Sequence, residues 1–344
     1  MDRRRTGAGS AAHRPRHRPQ YRPPHRPERP RPRGGVTKSA LRVGAGVAPA
    51  SLPPPIVEGV TSPDVSPVTA RTTRPVQVIA HRGSSHALPE HTLAAYRRAL
   101  SEGADALECD VRVTADGQLV CVHDRRIGRV SDGRGTVSAM TLAELEAHDF
   151  GAWKTGRPSE DPELRGVLRL ESLLELAVDS GRPVDLAIET KHPVRFRGRV
   201  ESELLRMLDR FGIGGASGRR GADPAETGAG HGVNARIMSF SSVALARVAA
   251  AAPQYPRVFL FERGLVLRGR LRPGAPLPGG ARIAGPGMDL VRARPGLVTR
   301  LVELGHQVHV WTVDEPADVE LCLELGVSAI ITNRPAEVLA QLGR

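Results

Sequence analysis

The stretch Val76-Gln77-Val78-Ile79-Ala80-His81-Arg82-Gly83 sets the pattern for most of the chain. Five residues suited to a buried strand run straight into a polar, conformationally permissive end. The same texture recurs downstream. Strands are predicted at Val76–Ala80, Ala106–Thr114 with Leu119–Val122, Val184–Ile188, Ala235–Ser239, Arg257–Phe261, Gly287–Val291, Gln307–Trp311 and Ala329–Thr332. Helical patterns separate them at Thr92–Glu102, Leu142–His148, Leu170–Ser180, Arg197–Phe211, Ser242–Ala251, Pro295–Leu304, Pro316–Leu325 and Pro335–Leu342. The strands are near-continuous apolar runs, as expected of parallel strands covered on both faces. About eight βα units in about 270 residues match the size of a (β/α)8 TIM barrel. An open doubly wound sheet would compete, but no GxGxxG follows the first strand.

Upstream of this body the composition is different. Residues 1–75 hold 15 of the 49 Lys+Arg and 4 of the 37 Asp+Glu, leaving 34 and 33 in the remainder. The net charge of +12 therefore belongs to a tail, and the body is nearly neutral. Fourteen of the 29 prolines also precede residue 76. Proline removes backbone donors and like charges repel, so residues 1–75 are expected to be disordered and extended, with 76–344 as the folded domain. A basic arm can make weak contacts with anions or a membrane surface. Tyr21 is its only aromatic, which gives no support for stacking on nucleic-acid bases. Deleting residues 1–75 is expected to leave turnover of a soluble substrate nearly unchanged; loss of most of the rate would make the tail part of the enzyme.

No run of about 18 apolar residues is present, so no transmembrane segment is expected. Met1–Arg5 is charged, but no apolar stretch follows it before the Arg/Pro/His run, so no signal peptide is read there and a cytoplasmic location is expected. Cys109, Cys121 and Cys322 are odd in number and widely spaced, which excludes a disulfide framework and fits a reducing compartment.

In a barrel the chemistry collects at the C-terminal strand ends. His81 there can transfer protons, and Arg82 can hold phosphate oxygens. Glu108 and Asp110 lie two apart on the second strand, so both carboxylates face one way with Ala106 and Arg112, while Leu107, Cys109, Val111 and Val113 face the other. Two carboxylates side by side need a cation or protons to neutralise them, and oxygen ligands favour Mg2+ or Ca2+. The turn Thr114-Ala115-Asp116-Gly117 folds a hairpin back, returning His123-Asp124 to the neighbourhood of that pair. Glu189 and Lys191 share a direction after the third main strand. Three carboxylates, two histidines, an arginine and a lysine are the parts of metal-assisted phosphodiester cleavage. Removing Asp110 is expected to abolish metal-dependent turnover without loss of fold, since it relieves like charge.

Taken in order, His81-Arg82-Gly83, Pro89-Glu90-His91-Thr92, Glu108-Cys109-Asp110-Val111, Thr114-Ala115-Asp116-Gly117, His123-Asp124 and Glu189-Thr190-Lys191 resemble the glycerophosphodiester phosphodiesterase family. Ser239-Phe240, Val310-Trp311-Thr312-Val313 and the run from Gly326 to Thr332-Asn333-Arg334-Pro335 fit as well. The resemblance implies a TIM barrel that hydrolyses glycerophosphodiesters to sn-glycerol 3-phosphate and an alcohol, with Mg2+ or Ca2+, in phospholipid degradation and glycerol metabolism. It implies that His81 and His123 are the acid/base pair and that Glu108, Asp110 and Glu189 bind the metal. Arg82 and Lys191 would then hold the phosphate, Glu90 would support the metal site or contact it, and Trp311 would line the pocket. Two positions depart from the family pattern. His91 stands where Asn is usual, and Asn333 stands where Asp is common and is expected to cap the last helix. An alternative is a lysophospholipase-D-type activity on lipid-tailed diesters, with an apolar groove from the loop Gly264–Gly280.

Overall fold

The computed structural model describes residues 75–215, 232–264 and 275–344. Residues 1–74 of the predicted tail, residues 216–231 and residues 265–274 of the proposed groove loop lie outside the described residues.

Ten strands follow in chain order: β1 (Gln77–His81), β2 (Ala106–Val113), β3 (Leu119–Cys121), β4 (Asp185–Thr190), β5 (Gly214–Gly215), β6 (Asn234–Ser239), β7 (Arg257–Phe261), β8 (Ile283–Pro286), β9 (Gln307–Val310) and β10 (Ala329–Thr332). Eight of them are parallel to their neighbours. Because β1 pairs with β10 on one side and with β2 on the other, the sheet closes into a barrel in the order β1-β2-β4-β6-β7-β8-β9-β10. β3 hangs antiparallel on β2, and β5 is a two-residue addition to β6.

The period of two on β2 decides which side chains reach the site. Leu107, Cys109, Val111 and Val113 point outward into a core shared with Leu170, Leu173 and Leu174 of helix Leu170–Val178 and with Leu204 and Leu208 of helix Arg199–Arg210. Burying each leucine contributes roughly 1.5–3 kcal/mol. Ala106 points inward, joining Ile79, Ala187, Met238, Leu260 and Ile331 in the barrel's interior layer. Beneath that layer lies a polar floor, where Gln77 Nε2 and Arg236 Nη2 donate to Asp185 Oδ2 at 2.9 and 2.7 Å. Glu108, Asp110 and Glu189 stand above the layer, at the opposite mouth.

One predicted strand is misplaced. Gly287–Val291 was expected to be extended, but the sixth barrel strand is Ile283–Pro286, and Met288–Ala293 is helical with Met288, Leu290 and Val291 buried. Ile-Ala-Gly-Pro reads as a turn by composition. The barrel needs that glycine because a Cβ on Gly285 would come within 2.7 Å of Leu260 Cδ2. Leu277, expected at the rim of an apolar groove, is instead packed in the outer core. The remaining short helices, Ala152–Thr155 and Pro162–Arg165, lie in a 123–169 segment whose irregular chain has no sequence period to find.

Candidate active site

Helix Leu93–Ser101 begins with Thr92, whose hydroxyl accepts from Ala95 N. It runs so close under the end of β1 that a Cβ on Gly83 would lie 2.6 Å from Ala95 C. Gly83 has φ +82° and Arg82 φ +58°, so the chain turns sharply after His81 through backbone that only glycine adopts freely. This turn aims both His81 and Arg82 into the mouth.

Glu108, Asp110 and Glu189 are buried, and one oxygen from each lies within 4.8 Å of the others. The adjacent β2 and β4 place Asp110 beside Glu189 in register. Burial opposes ionisation of all three. At Asp110 it is overcome by Arg82, Lys191 and His91, which hold that carboxyl well below its usual range. Arg82 Nε and His91 Nε2 each lie 2.9 Å from Asp110 Oδ2, and Lys191 Nζ lies 3.2 Å from Oδ1. Glu108 is pushed well above its usual range by burial and by the charge of Asp110. Glu189 is pushed up to about 8 by burial and Asp110, despite Lys191 Nζ at 2.8 Å. The cluster is thus one ionised carboxylate among cations, flanked by two that favour their protons until a cation joins them. A buried all-oxygen trio of this kind could hold a hard metal ion.

Asp110 is therefore the shared partner of Arg82, His91 and Lys191. Its removal would take one partner from each, although Arg82 keeps Glu90 and Lys191 keeps Glu189, so a stability cost is expected beside the relief of like charge.

His81 Nδ1 lies 2.7 Å from Asn333 Oδ1. Asn333 Nδ2 donates to Asp314 Oδ2 at 2.6 Å, which turns its Oδ1 toward the histidine. A carbonyl oxygen only accepts, so Nδ1 carries the proton and Nε2 keeps its lone pair. Burial, then Arg82, lowers His81 to about 3, so the ring is neutral at pH 7. Asn333 was expected to cap the last helix. That helix, Pro335–Gln341, has no side-chain cap, and Asn333 orients His81 instead.

His123 Nδ1 is 2.7 Å from Asp124 Oδ1. Burial lowers its proton affinity, against the opposing charge of Asp110. Arg112 fixes this corner from the backbone side, donating through Nε and Nη2 to the carbonyls of Val122 and His123 at 2.6–3.2 Å. Glu90 does not join the carboxylate trio. It is bound by Arg82 (3.0 Å) and by Arg129 (2.7 and 2.9 Å), which hold it down to about 2 against burial. It steadies Arg82, as a supporting residue would.

A mouth of about 350 Å3 is lined by these polar groups on one side and by Met238, Phe240, Leu260, Trp311 and Ile331 on the other. Trp311 is held by its indole donating to Gly285 O at 2.8 Å and by an edge contact to Phe240, with ring centroids 5.4 Å apart. All nine residues expected from sequence stand in or directly behind this mouth.

Four contributors were missed. His91 reaches Asp110 and, through Nδ1, the Tyr96 hydroxyl at 2.8 Å. Asp314, Arg129 and Arg112 act through residues that were expected. For His91 the signal was available in its position beside Glu90; for Asp314 and Arg129 no local pattern marks them.

A closed parallel barrel with carboxylates, two oriented imidazoles and phosphate-suited cations gathered at its C-terminal mouth is a (β/α)8 hydrolase built for phosphate esters. The model of the glycerophosphoryl diester phosphodiesterase family matches residues 81–337. A probable glycerophosphodiester phosphodiesterase 1 of Mycobacterium tuberculosis is 45% identical over 266 residues, covering 77% of this chain and 92% of that one. A glycerophosphodiester phosphodiesterase of Bacillus subtilis is 29% identical, covering 76% of this chain and 84% of that one. The crystal structure of a putative glycerophosphoryl diester phosphodiesterase from Silicibacter pomeroyi superposes with a TM-score of 0.62 at 26% identity, covering 78% and 93%. The chain belongs to the glycerophosphoryl diester phosphodiesterase family and is an enzyme of that class. Among the described residues no helix is long and apolar enough to cross a membrane.

Proposed function

We propose that the enzyme hydrolyses glycerophosphodiesters to sn-glycerol 3-phosphate and an alcohol, using a divalent ion, Mg2+ or Ca2+, held by Glu108, Asp110 and Glu189. The observation that carries this reading is the gathering of that trio with Arg82, Lys191 and two imidazoles around one mouth. A bound divalent ion would supply charge neutralisation at the phosphoryl oxygens. Arg82 and Lys191 offer the donors that orient the phosphate. His81, neutral and with Nε2 free of a proton, takes the proton of the attacking oxygen. His123, whose imidazolium is favoured by Asp124 and by the substrate's own negative charge, gives a proton to the departing alcohol. Trp311 and Phe240 shape the opposite, apolar wall. Such an enzyme serves phospholipid degradation and glycerol metabolism.

The test is release of glycerol 3-phosphate from glycerophosphocholine with Mg2+, with Ca2+ and with EDTA. Metal-dependent release supports the reading. Release undiminished by EDTA overturns the metal assignment, and turnover confined to lysophospholipids would move the substrate class to lipid-tailed diesters.

Metal binding is expected to release protons. Glu189 titrates at about 8 in the metal-free protein, and Glu108 lies above its usual range. Both must ionise to serve as ligands, so about one to two protons should leave per metal ion at pH 7. Affinity should therefore rise with pH through the range near 8 in which Glu189 gives up its proton. Calorimetric titrations in buffers of different ionisation heat read the proton count directly; a heat independent of buffer would be the contrary result.

A further inference from the structure

A second cavity, about 170 Å3, opens between the hairpin return and the loop after β4, lined by Arg112, Arg125 and Arg195 with Val113, Val137, Ser138, Pro193 and Val194. Three arginines line it, and among the described residues none of them has a carboxylate within 4.0 Å. Arg112 spends Nε and Nη2 on the Val122 and His123 carbonyls, leaving Nη1 without a protein partner among the described residues. Burial lowers the proton affinity of the Arg112 guanidinium, and an anion beside it would oppose that.

The cavity is adjacent to the catalytic mouth along two stretches of chain. His192 lines the mouth while its neighbours Pro193 to Arg195 line the cavity, and His123 lines the mouth while Arg125 lines the cavity. At 170 Å3 it is smaller than the roughly 300 Å3 at which sites for whole drug-sized ligands begin. It fits one end of a molecule whose other end lies elsewhere.

We infer that this cavity is a subsite for a second anionic group on the leaving alcohol, so that preferred substrates are glycerophosphodiesters whose alcohol carries its own phosphate or carboxylate. The inference rests on the proposed activity, in which His123 protonates the alcohol on this side of the mouth. The three arginines and the Ser138 hydroxyl supply donors to the anion, and the valines and Pro193 contact the carbons that link it to the scissile phosphate. Free inorganic phosphate offers the same chemistry and is the competing occupant.

The experiment compares glycerophosphoglycerol, whose leaving alcohol is neutral, with bis(glycerophospho)glycerol, whose leaving alcohol carries a phosphodiester. The wild-type enzyme is expected to favour the second by about tenfold or more in kcat/KM, as charge-assisted hydrogen bonds require. This exceeds the doubling that its two equivalent diesters give by counting. The double variant Arg125→Ala/Arg195→Ala, at two exposed positions, should bring the ratio down to that doubling, mainly through KM on the charged substrate. Raised salt should shrink the wild-type ratio in the same direction. Equal efficiencies after counting, or a preference that survives the double variant, overturn the subsite. Inhibition of glycerophosphoglycerol turnover by inorganic phosphate that the double variant relieves, without any substrate preference, would assign the cavity to the free anion and overturn it too. Hydrolysis of neither diester would take down the underlying activity and the subsite with it.

Discussion

Asp110→Ala is expected to lose activity and stability together. On the activity side, the trio loses the one carboxylate that is already ionised, and Arg82 and Lys191 lose the group that aims them. Charge neutralisation at a phosphoryl centre supplies several kcal/mol, so kcat/KM should fall by about 10^3-fold or more. On the stability side, Asp110 is 1% exposed, is hydrogen-bonded to His91, and faces the charges of Arg82 and Lys191 at 2.9 and 3.2 Å. Removing one partner of a buried charged pair costs up to about 3–5 kcal/mol, an upper bound here because Arg82 keeps Glu90 and Lys191 keeps Glu189. For a domain of this size that bound corresponds to a Tm lower by roughly 6–20 °C. Asp110→Asn separates the two effects. It keeps an acceptor oxygen for the same donors, so it should melt between the wild type and Asp110→Ala while remaining as inactive. A wild-type Tm for Asp110→Ala, measured without metal, would show that its donors find other partners. Retained activity would remove Asp110 from the metal site.

That double effect could not be foreseen from sequence, and the reason is physical. The period of two on β2 placed Glu108 and Asp110 on one inward face, and the strand-end rule placed His81, Glu189 and Lys191 beside them. Those inferences need only local geometry, and the barrel confirms them. What they could not supply is which cation each carboxylate would meet. Arg82 reaches Asp110 only because Arg82 and Gly83 both take positive φ, and His91 reaches it only through a second left-handed residue, φ +58°. Such turns are fixed by the packing of helix Leu93–Ser101 against β1, a contact with no sequence period. The same limit explains Asn333. Its position after the last strand was legible, but its partner Asp314 belongs to the loop after β9, and only barrel closure between β1 and β10 brings it to His81. The misplaced sixth strand has a related origin: Gly285 is crowded by Leu260, its partner on neighbouring β7, so a residue that weakens a strand in isolation is the one its neighbour favours.

The two histidines should respond differently to the leaving group, and this separates their roles more sharply than loss of activity alone. Each of His81→Asn and His123→Asn is expected to lower kcat on glycerophosphoglycerol by about 10^2–10^4-fold, the usual size of a positioned proton transfer. With p-nitrophenyl glycerophosphate the departing phenol needs little protonation. His123→Asn should then recover most of its lost rate, because the acid it lacks has little left to do. His81→Asn should stay slow on both substrates, since the attacking oxygen must still lose its proton whatever leaves. The geometry gives this assignment its direction. Asn333 and Asp314 hold His81 with Nδ1 protonated and the Nε2 lone pair free, the tautomer from which a proton can be taken up. His123 sits on a carboxylate partner that stabilises its protonated form, at 2.7 Å from Asp124. If the leaving group rescued His81→Asn and not His123→Asn, the proton would travel in the opposite sense, and the Asn333 contact would have to be read as holding an acid. Equal loss on both substrates for both variants would place the departing oxygen's charge on something other than either imidazole.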